Sequence, residues 1–179
     1  MSTTALPGSA EKKQESRDAQ KVLRLLNTKL RLLGFERTKP TFFTRPAQYV
    51  VEFVHVHKYT SGPEFRVHFG VRVRSDDFPA NHLNGPTSAA IADPNSPGRR
   101  LYDFTFATNA VSWESCASAM YHCVSTDGLP WFASVTDPAT LLSLKSPLTP
   151  NAVAALKREL EHPSDTQVSE ATQRALNAA

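Results

Sequence analysis

The runs Tyr49-Val-Val-Glu-Phe-Val-His-Val-His-Lys58 and Glu64-Phe-Arg-Val-His-Phe-Gly-Val-Arg-Val-Arg74 flank a short turn and decide the fold. In the second, Phe65, Val67, Phe69, Val71 and Val73 alternate with Arg66, His68, Arg72 and Arg74. A period of two over nine residues predicts a half-buried strand. Thr60-Ser-Gly-Pro63 supplies the turn, through the freedom of Gly62 and the fixed φ of Pro63. The pair predicts an antiparallel hairpin with guanidinium and imidazole groups on one face.

The hairpin has two registers, and a slip of one residue exchanges the faces. In one, Val51 and Phe53 join Phe69 and Val71 in the core and His55 and His57 point inward. In the other, Val50, Val54 and Val56 share the core with Phe65, Val67 and Phe69, and His55, His57, Arg66 and His68 gather on the open face. The second leaves Glu52 facing in, which is costly without a partner or a place at the sheet margin.

Outward from the hairpin, residues 10–33 predict a helix with an apolar stripe of Val22, Leu23, Leu25, Leu26, Leu30 and Leu33. Gly34 stands where a left-handed C-terminal cap is wanted. Residues 41–46 predict a short edge strand bracketed by Pro40 and Pro46. The run 75–99, rich in Pro, Asn, Asp and Gly, predicts a long irregular loop, either functional or a tolerated excursion. Arg100 to Thr108 returns to alternation and predicts a further strand.

The last third is helical. Ser112 is placed to cap a helix carrying Trp113, Cys116, Ala117, Met120, Tyr121 and Val124, and Asp127-Gly128 to stop it. Asp137-Pro138 opens a short helix with Leu141, Leu142 and Leu144; Thr149-Pro150 opens another. Ser164-Asp-Thr-Gln167 has the form of a capping box for a terminal helix whose apolar face is thin. The order predicts an α+β fold: an N-terminal helix, a mainly antiparallel sheet of about four strands, and C-terminal helices on one face. The expected organisation is a disordered lead-in at 1–9, a single domain over 10–162, and a loosely docked helix or tail at 163–179.

At 179 residues one domain with a proper core is the natural expectation. The formal charge of +3 sets 20 Lys and Arg against 17 Asp and Glu, which hardly argues for nucleic acid by itself. No window holds the roughly 20 apolar residues needed to span a bilayer. The N-terminal residues lack the basic start and apolar core of a secretory signal, so a cytoplasmic protein is expected. Cys116 and Cys123, seven apart on one helix, lie about 10 Å apart along its axis, beyond the roughly 7 Å a disulfide allows. They are expected to be buried, reduced thiols.

Leu33-Gly-Phe35, Phe42-Phe-Thr-Arg45, Val50 to Lys58, Phe65-Arg-Val-His-Phe-Gly-Val71 and Gly128-Leu-Pro-Trp-Phe132 together resemble a small bacterial family, domain-of-unknown-function family 4304. Its pattern runs LGF, F-x-R, V-x-N-F-Q-K-S and F-x-V-N-L-G-V, and the resemblance covers roughly Leu23 to Leu144. The chain departs from it with His55 and His68 where the family has Asn, His57 where it has Gln, and Tyr59 where it has Ser. It also has no clear counterpart of the family's Arg-x-Gly segment after the long loop. The family's polar residues imply that 55, 57 and 68 share a polar face, which selects the second register. The resemblance implies no activity.

His55 and His57 lie on one strand face about 7 Å apart, with His68 across the ladder, and three imidazoles can ligate zinc. Arg66 and Arg72 on the same face would repel a dication, so half-exposed strand histidines are the plainer reading and no cofactor is expected. Acyl-transfer and phosphate-loop motifs are absent. Asp76-Asp77 reads as a pair of solvated turn residues. Arg66, Arg72 and Arg74 with Tyr49 and Phe53 could stack on and neutralise single-stranded nucleic acid. The main expectation is a non-enzymatic binding protein of the toxin-immunity type. Its contact surface is His55, His57, Arg66, His68, Arg72, Arg74, Tyr49 and Phe53 with the 75–99 loop, and its partner an acidic protein surface. Nucleic-acid binding is the alternative, and a histidine-based metal enzyme the third.

Overall fold

Ser9 ends the lead-in by accepting the Lys12 N–H at 3.1 Å, which starts helix α1, Ala10–Arg31. The computed structural model describes residues 8–162 and 168–176, so the lead-in before Gly8 and the capping box at 164–167 lie outside the described residues. Helix α1 closes as its C-terminal residues direct. Gly34 takes φ +81° and donates to Arg31 O at 3.0 Å, while Phe35 donates to Leu30 O at 3.1 Å. This pair of hydrogen bonds is a Schellman closure, and it turns Phe35 back onto the apolar stripe.

Four antiparallel strands follow in the order β1-β2-β3-β4: Glu36–Lys39, Phe42–Pro46, Val50–Lys58 and Phe65–Val73. The hairpin takes the second register, with Val54 opposite Phe69, His55 opposite His68 and His57 opposite Arg66. Glu52 therefore faces inward, and cross-strand Arg45 meets it with an Nε–Oε2 bond of 2.6 Å. Arg45 also donates to Leu33 O and stands over the Phe35 ring, so the charge at the sheet margin is paired and fixed.

Strand β1 is a correction to the reading of the sequence, which left 36–39 out and placed a strand at 100–108 instead. That segment makes only isolated bridges, at Glu64–Thr105 and Ala92–Arg100. The 75–99 run has a definite structural role. Its residues 84–88 line the free edge of β4. Val71 N–H and C=O are both met by the Asn84 side chain, at 3.0 and 2.9 Å. Phe69 N–H bonds Pro86 O, Gly85 N–H bonds Phe69 O, and Val67 N–H bonds the hydroxyl of Ser88. Residues 104–106 continue the cover with Phe65 N–H to Phe104 O. An edge strand that would otherwise offer open backbone groups is thus closed mostly by side chains and loop carbonyls.

Helix α2, Ala110–Cys123, is capped by Asn109 and not by Ser112; the Asn109 Oδ1 accepts Ser112 N–H at 2.8 Å. Asp127-Gly128 does not stop the chain. A π-turn over Val124–Gly128 carries it into α3, Leu129–Val135. Gly128 lies against Phe69, where a Cβ would come within 2.8 Å of the ring, so it serves close helix–sheet approach instead of termination. Helices α4, Pro138–Leu141, and α5, Pro150–Glu161, begin at Asp137 and Thr149 as expected. Leu141 is buried, while Leu142 and Leu144 are exposed.

The result is an α+β fold. The inner sheet face, from Val50 to Val73, joins α1–α5 in one apolar core with Leu26, Leu30, Met120, Phe132 and Leu156. Helix α6, Glu170–Leu176, crosses to the other face, where Leu176 packs with Val51 and Phe53. Ser169 caps it by accepting Thr172 N–H.

Candidate functional site

The register puts Phe42, His55 and His68 in one row across β2, β3 and β4 on the outer face, with His57 and Arg66 beside them. None of the outward residues of these three strands is acidic. Phe42 stacks on His55 with ring centroids 4.4 Å apart, and His55 lies parallel to His68 at 6.0 Å. His57 meets Tyr59 edge-on at 5.7 Å, and the Arg66 guanidinium stands over the Tyr59 ring at 5.2 Å. An aromatic and imidazole stripe results, with Arg66 at its hairpin end.

Burial, followed by the neighbouring His68, His57 and Arg66 charges, pushes the His55 pKa down to about 4. Burial also lowers His68, with Arg66 and then His57 adding to the effect. At neutral pH both rings are therefore uncharged, and Arg66 stands beside them as a fixed charge. Among the described residues, no group of three or more His, Cys, Asp and Glu stands close enough to hold a metal ion. His55, His57 and His68 share a face without converging.

Five residues expected at the surface are placed differently. Phe53 is fully buried beneath α6, and Gly70 opposite it leaves room for its ring, since a Cβ there would fall 2.2 Å from Cζ. Arg72 is 4% exposed. Its Nε donates to the Thr172 hydroxyl at 2.7 Å, Nη1 to Ala80 O at 2.7 Å, and Nη2 to the carbonyls of Asp76 and Phe78. Asp76, expected as a solvated turn residue, is buried beside this guanidinium and accepts Phe78 N–H. Tyr49 packs against the main core at its margin. Arg74 donates to Gln48 O, and its own carbonyl accepts Ser169 N–H. The outer face is thus divided. The half at Val51, Phe53 and Arg72 is sealed by α6 and residues 76–80, and the half at His55, His57, Arg66 and His68 is partly exposed.

Phe42 and Tyr59 belong to the site although sequence reading did not single them out. The alternation of Phe42, Thr44 and Pro46 against Phe43 and Arg45 carried the signal for Phe42. No helix among the described residues is long and apolar enough to cross a membrane. The chain matches no protein-family model, no curated protein and no solved structure.

Proposed function

We propose that this protein is a non-catalytic protein-binding module, with the open half of the outer sheet face docking an acidic surface of its partner. The observation that carries the reading is the division of that face. One half is sealed by the chain itself, and the other keeps a half-exposed row of Phe42, His55, His68, His57 and Arg66 with no carboxylate among the outward residues of β2–β4. Aromatic and arginine side chains on a rigid platform are the residue types that anchor protein interfaces. An immunity-type neutraliser of a toxin is the concrete form, held by analogy with other small non-enzymatic α+β domains.

The test is capture of partners from the source cells on immobilised wild-type and Arg66→Glu protein, followed by titration of the purified partner against both. The reading expects a partner whose affinity falls about tenfold or more with Arg66→Glu while the melting temperature is kept, since a lost charge-assisted contact is worth roughly that much. A partner bound equally by both proteins removes the surface. A salt-dependent shift of single-stranded oligonucleotides, lost in the same variant, would instead support stacking of bases on the Phe42–His55 platform.

A further inference from the structure

Where the stripe meets α6, the outer face sinks into a recess of about 290 Å³ whose lining includes Lys39, Phe42, His55, Asn81 and Arg174. Two buried polar atoms of its lining residues, His55 Nδ1 and Asn81 Oδ1, have no hydrogen-bond partner among the described residues. Such atoms are uncommon in folded proteins and call for an explanation. The Asn81 amide is oriented by its other end, which donates to Ala175 O at 2.8 Å. Two cations also line the recess. Lys39 stands 5.7 Å from the Phe42 ring. Among the described residues Arg174 pairs with Glu170 at 3.7 Å, and both side chains are more than three-quarters exposed, a pairing readily exchanged for another.

A complementary group carries a carboxylate for Lys39 and Arg174, and an aspartate or glutamate side chain supplies it. We propose that the recess receives an acidic side chain of the protein partner, its carboxylate beside Lys39 and Arg174 and against the Asn81 and His55 side chains. The proposal rests on the protein-binding reading and names the anchor of that interface.

The probe is capped aspartate, N-acetyl-aspartyl-methylamide, titrated into isotope-labelled protein, with the capped asparagine analogue and inorganic phosphate as controls. Saturable shifts of the Asn81 side-chain amide and His55 ring signals are expected with capped aspartate. They should be about tenfold weaker with capped asparagine, which lacks the charge, and lost in the Lys39→Glu/Arg174→Glu double variant. Absence of shifts overturns the proposal. Equal shifts with inorganic phosphate also overturn it, because the recess would then take any anion. With the purified partner in hand, the two readings part. Binding lost with Arg66→Glu but kept in the double variant removes the anchor and leaves the interface, whereas binding kept in both removes the interface.

Discussion

At Arg72 a guanidinium gives its N–H groups to one hydroxyl and three carbonyls, at 4% exposure. Replacing it with Met keeps much of the stem but strands those acceptors, each costing about 1–3 kcal/mol when left unsatisfied. Urea unfolding of Arg72→Met should therefore show a loss of about 3–5 kcal/mol, the range for breaking a buried charged network. A loss below about 1 kcal/mol would show that water replaces the guanidinium freely. His55 acts on stability through pH. Its pKa in the folded chain is about 4 against an ordinary 6.5, so on acidification the unfolded chain takes up the proton first. The contribution is full above the ordinary value and is lost as pH falls through that window toward the folded value. Wild-type melting temperature should thus drop more steeply than that of His55→Gln between those two values. Parallel curves would mean that the ring is hydrated in the folded state.

At the scale of elements, the edge of β4 depends on Asn84, whose side chain replaces a neighbouring strand at Val71. Asn84→Ala removes both bonds and should cost about 1–3 kcal/mol in urea unfolding. It should also raise the tendency to aggregate through the uncovered edge, measured by light scattering. Unchanged stability would mean that the loop backbone alone closes the edge. The hairpin was legible because β4 alternates apolar and polar residues along nine positions and β3 is a nine-residue run rich in valine on the other side of a Gly-Pro turn. Strand β1 was not, since Glu36-Arg-Thr-Lys39 is four polar residues whose structure comes from pairing with β2. Arg100 to Thr108 misled because Phe104 and Phe106 are buried in alternation while the backbone touches the sheet only at isolated points. At Gly128 a residue type that usually ends helices was needed for contact with Phe69. The half-open site was legible at His55, His57, Arg66 and His68. Its boundary was not, because the partner of Arg72 is a threonine hydroxyl 100 residues away and no local pattern marks it.

For the molecule as a whole, the two cysteines report on the integrity of the core. Burial, then Asp103 near Cys116 and Asp127 near Cys123, pushes both thiols up to about 12. Both are unpaired and buried, and Cys116 donates to Phe104 O at 3.2 Å. A thiol reagent at mildly alkaline pH should leave the native protein unlabelled and modify both cysteines in urea, with labelling following the fraction unfolded. Rapid labelling of the native chain would show that α2 opens locally without global unfolding.

The bond from Arg72 to Thr172 has a consequence for synthesis in the cell. A ribosome adding about 5–20 residues per second needs roughly 5–20 s to lengthen the chain from one partner to the other. Throughout that interval the nascent hairpin can pair its strands but has no α6 to shelter Phe53. During translation this half of the sheet is therefore the surface that a chaperone would meet, and it is withdrawn once Thr172 has emerged.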